Sequence, residues 1–221
     1  MADPGSSLKA VLSEAKELGL LGPASIDDQV EHSKAFVDLV AKHTEQRRVR
    51  STQSRPAVVD LGSGGGIPGL VIAALLPSID VTLLDGSSRR TEWLAWAVVQ
   101  LELEDHVSVK CLRAEEYGRL PERRSTFDVV TARAFGPPAV AAECAAPLLR
   151  TGGRLLVSEP PQAQPNVASS RWPEEGLREF GFAPAVEVVA RGKQFVEIEL
   201  VEECPDRFPR RVGIPEKRPR F

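Results

Sequence analysis

An apolar run passes straight into a cluster of glycines at Val58-Val59-Asp60-Leu61-Gly62-Ser63-Gly64-Gly65-Gly66-Ile67-Pro68-Gly69, and this segment constrains the chain more than any other. Glycine lets a backbone turn sharply and approach a ligand where a Cβ would collide. Strand, glycine turn and helix in succession make the first crossover of a doubly wound sheet, whose ligands sit beyond the carboxyl ends of the strands. The rest of the chain repeats the theme. Ala57–Leu61, Val81–Leu84, Val107–Leu112, Phe127–Ala132 and Arg154–Val157 are short and mostly apolar, as suits strands covered on both faces. Helix candidates at 68–76, 88–103, 115–120 and 137–149 lie between them. Alternation at this spacing implies right-handed βαβ units and an α/β fold. Beyond Gly181, Ala185–Ala190 and Phe195–Val201 flank Arg191-Gly192-Lys193 as a hairpin, so an antiparallel strand is expected to finish the sheet.

Ahead of this domain, residues 6–21 carry Leu8, Val11, Leu12, Ala15 and Leu18 at helical spacing. Ser25 with Asp28 resembles a capping box that opens a second helix through Val40. Residues 42–56 are polar and basic and read as a linker. The expected division is a helical extension over 1–56, a main domain over 57–203 and a basic tail over 204–221.

The 221 residues, 42% of them apolar, suffice for one domain. No apolar run reaches the length of a membrane span, and the first residues lack a basic segment followed by an apolar core, so a cytoplasmic location is expected. Cys111, Cys144 and Cys204 show no metal or redox spacing; reduced thiols and no metal site are expected. The net charge of -3 speaks against a protein that binds nucleic acid over its whole surface. Basic residues are nevertheless clustered. Arg47, Arg48, Arg50 and Arg55 precede the first strand, and Arg207, Arg210, Arg211, Lys217, Arg218 and Arg220 crowd the end. Such clusters can meet phosphates. Pro209, Pro215 and Pro219 are expected to keep the tail extended.

Two cofactors fit the glycine turn. Gly64-x-Gly66-x-x-Gly69 matches a dinucleotide fingerprint, and Asp85 ends the second strand where an acid would hold a ribose diol. Asp60 tips the choice toward S-adenosyl-L-methionine. An acid two residues before the first glycine can receive the ammonium of a methionine moiety, whereas a pyrophosphate offers it no partner.

Several segments carry a resemblance to a known family. Asp60 through Leu70, Leu83-Leu84-Asp85 followed by Arg89-Arg90, Arg113-Ala114-Glu115-Glu116, Phe127 through Phe135, and Pro209-Arg210-Arg211-Val212-Gly213-Ile214-Pro215-Glu216-Lys217 are similar to the small-subunit ribosomal RNA methyltransferase G family, also called glucose-inhibited division protein B. The resemblance spans roughly residues 25–157 and 204–219. It implies a seven-stranded, mostly parallel, Rossmann-like class I methyltransferase sheet. By position it carries cofactor contacts onto Gly62, Ile67, Ala114, Glu115 and Arg133, and it matches His32 to a family histidine. It implies ribosomal RNA, or the small ribosomal subunit, as partner. The chain departs from the pattern in lacking the early Trp-Asn and Asn-Leu-Thr stretch. It also has Val157-Ser158-Glu159-Pro160 where the family's fifth strand ends in Leu-Lys-Gly.

The residues also bear on the methyl acceptor. Exocyclic amine methylation commonly uses Asn/Asp-Pro-Pro-aromatic after the fourth strand, where this chain has Ala132-Arg133-Ala134-Phe135. No Pro-Cys dipeptide is present to supply a pyrimidine C5 nucleophile. Guanine N7 needs neither, since its lone pair is available, and this agrees with the N7-guanine activity that the resemblance implies. Arg133 is the catalytic candidate: its fixed charge, just past a strand end, suits a methionine carboxylate or a target phosphate. Arg210, Arg211 and Lys217 are the expected RNA contacts. A methyltransferase of small molecules or proteins, or a non-catalytic cofactor-binding paralogue, remain the alternatives.

Overall fold

The computed structural model describes residues 4–50, 55–160 and 171–221, with the side chains of all but 4–6 and 46–50. Arg47, Arg48 and Arg50 therefore lie outside the described side chains.

Seven strands form one sheet in the order β3-β2-β1-β4-β5-β7-β6. They are β1 (Ala57–Leu61), β2 (Asp80–Asp85), β3 (Val107–Cys111), β4 (Phe127–Ala132), β5 (Leu149–Ser158), β6 (Val186–Ala190) and β7 (Lys193–Glu199). The first five are parallel; β7 runs antiparallel to β5 and pairs with β6 on its other side. The expected doubly wound, mostly parallel sheet is what forms. The strand order reverses between β1 and β4, the point at which such sheets open a crevice for ligands.

Strand alternation sorts each apolar run onto two faces. Val58, Val81, Leu83 and Val129 face a core shared with α1 (Pro4–Glu17), α2 (Ile26–Arg50), α3 (Gly69–Leu75) and α4 (Ser88–Gln100). Val59, Leu61, Leu84, Val130 and Ala132 face the other core. That core is shared with α5 (Ala114–Tyr117), α6 (Pro138–Ala145) and α7 (Glu174–Arg178). Continuous burial of this kind is why the runs read as unbroken rather than alternating.

Several boundaries differ from expectation. α1 ends at Glu17, so Leu8, Val11, Leu12 and Ala15 are buried while Leu18 stays exposed. Ser25 does cap α2: its Oγ accepts the Asp28 N–H (3.1 Å). The reciprocal half of the box is absent, because the Ser25 hydroxyl donates to the Asp28 carboxylate instead (2.6 Å). α2 does not stop at Val40 but continues to Arg50, through the stretch read as a linker. No Gly or Pro interrupts residues 41–50, and His43 is held against Glu197 of β7 (3.0 Å). β5 begins five residues before the expected Arg154, with a register irregularity against β4 between Phe127 and Val129.

Residues 204–221 pack on the α6 face rather than extending into solvent. Phe208 is buried, its ring edge-on to Phe180 at 4.7 Å. Arg124 donates to the carbonyls of Cys204 (2.8 Å) and Phe208 (2.7 Å), and Arg119 donates to that of Pro209 (3.1 Å). A further short helix, α8 (Ile214–Lys217), corrects the expectation of a fully extended tail. Proline disrupts a helix interior but is tolerated in the first turn, which is where Pro215 sits. Cys111 is exposed, whereas Cys144 and Cys204 are buried. Among the described residues, no group of His, Cys, Asp or Glu is placed to hold a metal ion, and no helix is long and apolar enough to cross a membrane.

Candidate cofactor cleft and target face

The turn after β1 uses positive φ angles at Gly62 (+67°), Gly64 (+55°) and Gly66 (+97°), a region that favours glycine. Two carboxylates hold it. Asp60, 1% exposed, accepts the Thr131 hydroxyl on Oδ1 (2.8 Å) and the Gly69 N–H on Oδ2 (3.1 Å). A Cβ at Gly69 would lie 2.7 Å from that same oxygen, so only glycine lets the first turn of α3 reach the acid. Burial pushes the Asp60 carboxyl up to about 6 despite these hydrogen bonds and the nearby charge of Arg133. Asp85, at the end of β2, accepts the Gly64 N–H on Oδ2 (3.0 Å) and the Ser87 N–H on Oδ1 (2.9 Å). Arg90 stands 3.5 Å from Oδ2.

A cleft of about 240 Å³ opens beyond the carboxyl ends of β1 to β4. Gly62 and Asp85 form its floor, and Leu112, Ala114, Val140 and Cys144 form an apolar slot on one side. Ala134 turns the chain at φ +51°, and Phe135 then lies over the glycine turn. A Cβ at Gly62 would sit 2.8 Å from the Phe135 ring.

The structure thus brings together Gly62, Asp85, Ala114 and Glu115. Gly64, Gly66 and Ile67 stand behind the cleft and give the turn its shape; Ile67 packs on the helical core. Glu115 lends the cleft a wall, and its buried carboxylate serves the tail, accepting the Gly213 N–H (2.9 Å) with Arg113 at 3.7 Å. Leu112, Phe135, Val140, Cys144 and Glu216 are also among the lining residues, as are Arg90 and Arg113. Sequence reasoning missed these as site residues. The apolar ones are indistinguishable from core positions by periodicity, and Glu216 stood out only as part of the tail segment that resembles the family.

Arg133 lies outside this cleft, toward α2. Its guanidinium is mostly buried, which lowers its pKa while the nearby Asp60 charge raises it. Near it, the His32 ring stacks on Phe36 (6.0 Å between centroids) and meets the edge of Phe195 (5.7 Å). Burial, reinforced by the charges of Arg133 and Lys193, pushes His32 down to about 4, so it is neutral near pH 7. His32 Nε2 and one terminal nitrogen of Arg133 are buried without a hydrogen-bond partner among the described residues. Glu159 is 7% exposed and satisfied internally. It accepts the Trp172 indole N–H (3.0 Å) and pairs with Arg171.

In the tail, the Arg210 guanidinium forks onto buried Glu143 of α6, with Nε to Oε1 at 2.8 Å and Nη2 to Oε2 at 2.6 Å. Arg211 and Lys217 are exposed.

The family model described as rRNA small subunit methyltransferase G matches residues 8–171 of the chain. A ribosomal RNA small subunit methyltransferase G of Thermotoga neapolitana is 32% identical over 197 residues, covering 88% of this chain and 81% of its own length. The protein of the same name from Roseiflexus castenholzii is 37% identical over 164 residues, covering 73% and 70%. Among solved structures, a cofactor-bound protein from MTB superposes with a TM-score of 0.60 at 21% identity over 91% of each chain. An O-methyltransferase from Bacillus cereus in complex with SAH gives 0.58 at 18% identity over 90% and 92%. At these identities the structural likeness is one of fold, whereas the segment matched by the family model includes the glycine turn, the β2 acid and the β4 exit. The chain belongs to the ribosomal RNA small subunit methyltransferase G family.

Proposed function

We propose that the protein transfers the methyl group of S-adenosyl-L-methionine to N7 of a guanine in small-subunit ribosomal RNA, in the cytoplasm. The observation that carries this reading is Asp85 on the floor of a glycine-turned cleft with an apolar slot beside it, in a chain of this family. The residues fit the cofactor. Each Asp85 oxygen accepts one backbone hydrogen and keeps capacity for a ribose diol. The slot of Leu112, Ala114, Val140 and Cys144 suits a flat base. The first N–H groups of α5, at Ala114 and Glu115, suit its edge. Asp60 sets negative charge under the turn, toward the ammonium of a methionine moiety, while Gly62, Gly64, Gly66 and Ile67 shape the backbone around it.

Bound there, the cofactor would supply an electrophilic sulfonium methyl. Guanine N7 attacks such a carbon without losing a proton, so the chain has to orient rather than deprotonate. Arg133, outside the cleft but near the Asp60 charge beneath the glycine turn, is the cation proposed for this, as a partner for a carboxylate or a target phosphate. Its buried, unpartnered nitrogen supports a role toward a ligand rather than toward the fold. With Arg210 committed to Glu143, Arg211 and Lys217 are the tail cations proposed to meet RNA phosphate. Mass mapping of small-subunit ribosomal RNA from cells with and without the gene tests the proposal. One guanine should lose its N7 methyl when the gene is absent, and an unchanged map would refute it.

A further inference from the structure

Residues 204–221 lie beyond the segment matched by the family model, yet they are fastened to the cofactor cleft from two directions. Arg210 is tied to Glu143 through its guanidinium and through its backbone N–H, which donates to Oε1 at 2.8 Å. Glu143 is fully buried and adjoins Cys144, a residue of the apolar slot. Three residues on, the Gly213 N–H donates to Glu115, itself a cleft residue. Gly213 then turns at φ +74° and starts α8, whose Pro215 is buried and whose Glu216 borders the cleft. Glu216 has no hydrogen bond or ion pair to another described residue. The two anchors thus place an uncommitted carboxylate beside the slot.

We propose that α8 is a wall of the cofactor cleft and that Glu216 accepts a hydrogen bond from the exocyclic amine of an adenine base. This rests on the S-adenosylmethionine reading above. Asp85 occupies the β2 end of the cleft and suits the ribose, so the base extends away from it into the slot of Leu112, Ala114, Val140 and Cys144. Glu216 closes that end. An ionised carboxylate only accepts hydrogen bonds, and the amine only donates, so the pair discriminates adenine from a base bearing a carbonyl at that position. The tail is therefore a cofactor-binding element in its own right, whatever its outward cations do with RNA.

Calorimetry with S-adenosylhomocysteine and with S-inosylhomocysteine, in which the amine is replaced by a carbonyl, tests this. The parent protein should prefer the adenine compound. Glu216→Gln should weaken S-adenosylhomocysteine about fivefold and narrow the preference, because an amide can donate to the inosine carbonyl. Glu216 is exposed, so the variant is expected to melt with the parent. In hydrogen exchange, residues 213–217 of the parent should gain protection when S-adenosylhomocysteine binds. An unchanged ratio between the two compounds in Glu216→Gln, or no added protection at 213–217, would overturn the proposal. Failure of the parent to bind S-adenosylhomocysteine at all would instead overturn the cofactor reading.

Discussion

Asp60 and Arg133 are close enough for each to shift the other's titration, yet they answer to different demands. Asp60 belongs to the turn, through Thr131 and Gly69, and burial raises its carboxyl from 3.8 to about 6. A raised carboxyl means that the folded chain holds a proton which the unfolded chain has already released. Its contribution is thus present below about pH 4 and is lost as pH rises through about 6, a change of roughly 2–3 kcal/mol. Asp60→Asn cannot titrate. The stability of the parent relative to this variant should fall between pH 4 and 6 and then level off. Denaturant unfolding across that range checks it, and a constant difference would show that the acid is not buried as described. Arg133 has a buried nitrogen without a partner, so truncating it breaks no hydrogen bond at that atom. Arg133→Ala should leave the melting temperature nearly unchanged while cutting methyl transfer strongly. A large loss of stability, with activity retained in the folded fraction, would make it a structural residue.

Among the elements, α6 and the tail depend on one ion pair. Glu143 is fully buried and Arg210 half-buried, and removing one partner of such a pair leaves an uncompensated charge. Arg210→Ala should therefore cost about 3 kcal/mol in chemical denaturation, far above the effect of an exposed arginine. Lys at the same position would restore charge without the fork and should recover only part of that loss. This pair also marks where sequence reading stopped. The strands, the turn and the crossover helices were legible because each is a local pattern: apolar runs, glycine spacing, an acid at a strand end. Asp85 was legible for the same reason. The partnership of Glu143 with Arg210 spans 67 residues and has no local signature. Glu115 matched a family position, but nothing in its neighbours shows that its carboxylate serves Gly213. The length of α2 was missed because its polar second half, which meets Glu197, has no continuous apolar stripe.

At the scale of the molecule, a net charge of -3 leaves RNA affinity to local clusters. Each neutralised phosphate contributes nearly one unit to the slope of log affinity against log salt. Replacing both Arg211 and Lys217 with Ala should therefore lower that slope by about 1.5 while cofactor affinity stays the same. Equal slopes would show these side chains to be solvated only. The placement of β7 bears on how the chain reaches this state. β1 to β5 can be laid down by successive crossovers, but the free side of β5 stays open until residues 195–199 pair with 154–158. β6 emerges before β7 yet must end outside it, so the hairpin has to dock as a unit. Until then an apolar edge carrying Leu155, Leu156 and Val157 presents unpaired amides and carbonyls to any neighbouring chain. Refolding from denaturant should accordingly lose yield as protein concentration rises, through strand-to-strand association at β5.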